Sequence, residues 1–174
     1  MTAGGMLRTS ILVFAAALLQ AVIVSSIVLD GGSADLLLLV VVSFGLLRGS
    51  VPGAVAGFAG GLVVDLVTLD TLGVTSLVLT LAGFWAGRYG ETTARGRRLA
   101  PLLAAAVFTV LAGIFAFVLH YTLGNEVDVR QALLIALPPA VFLNVLLALP
   151  VHALVRSTVR EHELEPAAEV EVVV

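Results

Sequence analysis

The chain has 174 residues, 60% of them hydrophobic and only 12% charged, with a formal net charge of −3. A soluble domain carries roughly 25% charged residues, so a mean hydropathy of +1.13 places this chain in the membrane class. It contains no cysteine, which excludes disulfides and thiolate chemistry.

A short cytoplasmic N-terminus, 1–8, leads into a first apolar run at 9–29, close to the 20 or so residues that a bilayer core requires. The run is longer than a secretory h-region and lacks a small-x-small cleavage site, so an uncleaved helix is expected. Further runs follow at 35–48, 51–69, 72–89, 100–123 and 131–155. The pattern predicts an all-α integral membrane protein, with six transmembrane helices in one domain over 9–156. Within the second run the uncharged residues 36–47 cover only about 18 Å as a helix, against a core of about 30 Å. Either this run borrows Ala34, Asp35 and a snorkelling Arg48 to cross, or it forms a re-entrant hairpin with the run that follows. The acidic tail, 157–174, carries Pro166 and no aromatic residue, and is expected to be disordered and cytoplasmic.

The arginines set the orientation. With both termini in the cytoplasm, Arg8, Arg48, Arg88, Arg95, Arg97, Arg98, Arg156 and Arg160 share the inner side, and Arg130 alone falls outside. That is a positive-inside distribution. Asp30, Asp35 and Asp70 then lie at outer ends.

The third run carries the most specific pattern. Gly49, Gly53, Gly57 and Gly61 recur every four residues, Gly60 lies beside them, and the next step lands on Asp65. Steps of four drift by about 40° on a helix, which makes the row a slowly winding stripe. Bare backbone at that spacing admits another helix at close range in lipid. A carboxylate one turn further on is costly unless protein or water surrounds it. Asp65 therefore reads as a packing or partner residue, as a helix boundary, or as a ligand or ion group.

Asn144 sits in mid-span six residues after Pro138-Pro139, and a mid-span amide needs an interhelical partner. Gln20 in the first run is a candidate. The proline pair is expected to kink or break the last helix and to free carbonyls. His120, His152 and His162 are isolated and have no ligand spacing for a metal. Trp85 and Tyr89, beside Arg88, sit where belt residues do. No paired acids, nucleophile elbow, metalloprotease helix or phosphate-cradling loop is present. The residues imply no catalysis, no cofactor and no nucleic acid, and membrane lipid is the expected surrounding.

From Gln20 to Gly87 the chain resembles the rod shape-determining protein MreD family. The likeness is carried by LLQ in the first run, ADLLLLVVVSFGLLRG, GAVAGFAGGLVVDL and LGVTSLVLTLAGFWAG, and by PAVFLNVLLALPV, which places Asn144 where the family has its usual asparagine. Ala34 departs from the proline that the family typically has before the aspartate. The resemblance implies a bacterial inner-membrane component of the elongasome, which directs lateral peptidoglycan synthesis. It would be a non-enzymatic scaffold that works with MreC, MreB, RodA and a class B penicillin-binding protein, and homo-oligomers are possible. On this reading the glycine face and Asp65 organise contacts with a partner's helix. The family also resembles in fold the S components of energy-coupling-factor vitamin transporters, which gives the alternative function; the short outer loops supply little of the polar pocket that it needs.

Overall fold

The computed structural model describes residues 14–20, 33–69, 71–92, 99–124 and 128–160, and every regular element among them is helical. We label the helical segment 14–20 α1. It is followed by α2 (Leu36–Arg48), α3 (Ser50–Thr68), α4 (Val74–Thr92) and α5 (Ala100–Thr122). The last element, α6, opens with π-type turns over Arg130–Ala136 and continues as an α-helix over Leu137–Arg160. Most of the first run, Arg95, Arg97 and Arg98, and the tail from 161 onward lie outside the described residues.

Among the described residues three stretches are long and apolar enough to cross a membrane: Ser50–Thr68, Ala100–Thr122 and Arg130–Val159. Their surfaces point the same way. On α3, Val51, Val55, Phe58, Leu62 and Leu66 are exposed at steps of three and four; on α5, Leu103, Val107, Leu111, Ile114, Val118 and Tyr121 are. A stripe at that period covers one helix face. Here the stripe faces outward, while Ser43, Ser50, Asp65, Ser76, Thr109 and Asn144 are buried. Apolar surface outside and polar groups inside suit a hydrocarbon surrounding.

The core is α2. Every residue from Leu37 to Gly45 is buried, and the helix packs against α3, α4, α5 and α6. A helix that is apolar all round is one that other elements enclose. Its 13 residues span only about 20 Å. Asp35 caps its start, and the Asp35 amide meets Asn144. Asn144 lies about 20 Å along α6 from Arg130, so α2 begins midway along α6 and runs beside its second half.

One residue, Gly49, joins α2 to α3 at φ 101°, a conformation open chiefly to glycine. From there α3 runs antiparallel to α4 with the glycine stripe against it. A methyl on Gly61 would meet the backbone of Ser76, on Gly57 that of Leu79 and Thr80, on Gly53 that of Gly83, and one on Gly87 that of Gly49 and Ser50. The stripe thus faces a second set of small residues at matching steps on α4, and Gly60 is buried on the same helix. Gly45 of α2 lies against Gly83 and Gly87 as well, so three backbones converge. The neighbour in the groove is the chain's own α4, which leaves no free surface there for a partner's helix.

The proline pair does not break α6. Pro138 and Pro139 mark the place where π-type turns give way to α-helix. Each lacks the N–H that would bond back into the preceding turn, and a wider turn upstream accommodates the loss.

The glycine contacts predict a sign. A methyl at Gly57 would lie 2.9 Å from the Thr80 amide and closer still to the Leu79 carbonyl, and backbone atoms cannot rotate away. Alanine's helix propensity returns about 1 kcal/mol, whereas overpacking costs about 1–3 kcal/mol, so the clash wins. Gly57→Ala is expected to lower stability in detergent unfolding. Gly113→Ala, whose methyl would meet only the flexible end of Leu137, is expected to be neutral or stabilising.

Candidate functional site

Two polar clusters hold the helix ends. The first lies across the α3–α4 pair. Asp65 is fully buried and accepts hydrogen bonds from the amides of Gly73 at 2.8 Å and of Thr75 and Ser76, each at 3.3 Å. Thr75 and Ser76 belong to the first turn of α4 and Gly73 directly precedes it, where amides have no partner within the helix. The carboxylate also sits at the positive end of the α4 dipole. Asp65 is thus neither a wet boundary residue nor an unpartnered acid: it caps the neighbouring helix.

At the other end the arrangement is returned. Glu91, near the end of α4, accepts from the Ser50 amide at 2.8 Å and the Ser50 hydroxyl at 3.1 Å, at the start of α3. Its second oxygen pairs with Arg88 at 3.4 Å. The Ser50 amide holds the Glu91 carboxyl below its ordinary value of about 4.5, with the Ser50 hydroxyl and Arg88 adding to the effect and desolvation opposing it. Each helix of the pair therefore supplies a carboxylate to the first turn of the other. Glu91 escaped the sequence reading because an acid three residues from an arginine looks like an ordinary surface pair. Arg88 serves that clasp.

The second cluster surrounds the start of α2. The Asp35 amide donates to Asn144 Oδ1 at 2.8 Å, the Leu36 amide to Gln20 Oε1 at 2.8 Å, and the Leu38 amide to Asp35 Oδ1 at 2.8 Å. Asn144 Nδ2 donates to Thr109 Oγ1 at 2.9 Å. Gln20 and Asn144 do not bond each other, as the sequence suggested they could; they bond successive amides of a third helix. Asp35 accordingly is the N-cap of α2, placed inside the bundle and not at an outer membrane boundary. Thr109 could not be singled out from the sequence, because a threonine in an apolar helix commonly bonds its own backbone.

Above this cluster lies a cavity of about 250 Å³. Gln20, Asp35, Thr109, His120 and Asn144 line it together with apolar side chains of α4, α5 and α6. The space lies beyond the start of α2, which meets α6 at Asn144, midway along that helix. At the opposite end Arg48 does not extend the helix towards lipid: its Nη2 donates to the Val159 carbonyl at 3.4 Å, against the last turn of α6. Among the described residues no group of three histidine or acidic side chains is placed to hold a metal ion.

A helical bundle with apolar faces outward and with Asp65 and Asn144 buried against helix starts is built as membrane proteins are. The sequence matches the family model described as rod shape-determining protein MreD over residues 3–161, and the chain belongs to that family. No curated protein and no solved structure matches it.

Two outcomes follow from the clasps. Asp65→Ala leaves three amides, that of Ser76 buried, without their acceptor and is expected to cost about 2 kcal/mol in detergent unfolding, with Asp65→Asn, which keeps one acceptor oxygen, costing less. A carboxyl group with a depressed pKa stabilises fully above its ordinary value, and the benefit disappears as pH falls through the lowered one. The unfolding midpoint of the native protein is therefore expected to drop more steeply on acidification below about pH 4.5 than that of Glu91→Gln.

Proposed function

We propose that this protein is a non-enzymatic scaffold or regulator of bacterial cell shape, a multi-pass component of the cytoplasmic membrane within the machinery for lateral peptidoglycan synthesis. The observation that carries the reading is the family match over nearly the whole chain. In this proposal six spans cross the membrane with both termini in the cytoplasm, as the arginine distribution favours. Residues 9–156 form the membrane domain between a short N-terminus and the acidic tail. Partners are MreC and, through the same assembly, MreB, RodA and a class B penicillin-binding protein.

The architecture supports a scaffold in a specific way. Gln20, Asp65, Glu91 and Asn144 accept from backbone amides at the starts of α2, α3 and α4, which makes them structural supports. The glycine face is taken up by α4, so a partner's helix meets the protein on the outward stripes of α3, α5 or α6. Depletion in a rod-shaped native host is expected to give rounded cells, and the tagged protein to co-purify MreC. Rods that persist, with no MreC captured, would overturn the proposal.

The cavity over α2 favours one second reading, a binder of a small molecule akin to a transporter S component, since it supplies the polar lining that the outer loops lack. A vitamin-sized molecule retained through detergent purification and seen by mass spectrometry would move the assignment there.

A further inference from the structure

Asp35 faces a space and has no counter-charge. It lines the cavity beyond the start of α2, and its Oδ1 accepts from the Leu38 amide. Among the described residues Oδ2 takes no hydrogen bond, and protein atoms do not enclose it, so it opens onto the cavity. The amide donors nearby are directed elsewhere: Gln20 Nε2 to the Ala34 carbonyl at 3.4 Å, and Asn144 Nδ2 to Thr109 Oγ1 at 2.9 Å. No cation among the described residues forms an ion pair with Asp35. Arg48 stands at the opposite end of α2, about 20 Å away. A carboxylate inside a membrane bundle is costly unless something positive or hydrogen-donating meets it.

The walls decide what that something is. Thr109, Ala112, Gly113, Ala116 and His120 line the space from α5, sharing one face of that helix over about 16 Å. Asn144 bonds both Thr109 and the Asp35 amide, which puts Asp35 at one end of this slot and His120 at the other. Leu38, Val78, Leu79 and Leu137 supply apolar wall. The volume of about 250 Å³ gives room for roughly ten non-hydrogen atoms, on the scale of a cavity of about 150 Å³ that takes benzene. No phenylalanine, tyrosine or tryptophan of the described residues lines the space, so it lacks the ring faces that hold a quaternary ammonium. A hydrogen-donating ammonium on an unbranched apolar chain suits both the carboxylate and the walls. We infer that the cavity is a binding site for a small linear primary amine, its ammonium on Asp35 Oδ2 and its chain along the α5 face. The inference deepens the small-molecule reading of that cavity and rests on it, and a cell-shape scaffold can carry the same site.

Thermal unfolding of the full-length protein in detergent at neutral pH tests it, with n-hexylamine as the probe and n-hexanol as its neutral counterpart. The amine is expected to raise the unfolding midpoint and the alcohol is not, because a ligand that binds only the folded state stabilises it. Asp35→Asn removes the charge and keeps a side chain that caps a helix as well as aspartate does; it is expected to weaken hexylamine binding about tenfold or more. Ala116→Leu fills the slot from α5 and is expected to abolish the shift even if Asp35→Asn does not fold. Val107→Ala, on the outward face of α5, should keep it. An equal shift with hexanol, or an undiminished shift in Asp35→Asn, would overturn the amine assignment and leave the cavity to a neutral molecule. An undiminished shift in Ala116→Leu would place the binding elsewhere and overturn the inference. No shift with either compound would overturn it together with the small-molecule reading. None of these readouts involves rod growth, so failure here leaves the cell-shape proposal standing, and the reverse also holds.

Discussion

A helix that begins inside a membrane protein starts with amides that neither water nor its own turns can satisfy, and in hydrocarbon each such amide costs several kcal/mol. Three helices of this chain meet that constraint with side chains borrowed from elsewhere. The start of α2 rests on Gln20 of α1 and Asn144 of α6 as well as on Asp35. The start of α3 rests on Glu91, and the start of α4 on Asp65. Gln20, Asp65 and Asn144 are each bonded to backbone amides, and their positions are set by where helices begin.

The same constraint explains why the bundle needs glycine. A carboxylate side chain is short, so Asp65 can reach the first turn of α4 only if α3 and α4 lie nearly in backbone contact. Gly53, Gly57 and Gly61 on one helix and Gly83 and Gly87 on the other bring them there. Close packing and capping are thus one device. Antiparallel pairing then places the end of each helix beside the start of the other, and one acid at each end closes both.

Much of this was legible in the residues. A step-of-four glycine row running into an acid is rare enough to mark a packed interface, and mid-span Asn144 and Gln20 announced hydrogen bonds across helices. What the residues did not show was the identity of the neighbours. Gly83 and Gly87 repeat the same step, but their sequence gives no register, and without a register the groove could be assigned as readily to a partner as to α4. The length of the 35–48 run was visible; its consequence was not, because a 13-residue helix becomes a half-length core element only when Asn144 of a distant segment supplies the cap. Glu91 carried no signal beyond its pairing with Arg88.

A bundle fastened in this way constrains how it can serve a larger assembly. Helices α3 and α4 are held at both ends and along their whole contact, so they move as a unit, and α2 is enclosed by every helix from α3 to α6. What stays free is the outward apolar surface of α3, α5 and α6 and the space over the start of α2. The first is a surface of low specificity, suited to a partner helix that exchanges lipid contacts for protein contacts at small net cost. The second is bordered by the caps themselves, so anything that enters it meets Asp35 and Asn144 directly and bears on the helix they hold in place. If the proposed scaffold responds to a signal, the start of α2 is where a small local change would be transmitted to the whole core, since no other helix touches so many of its neighbours.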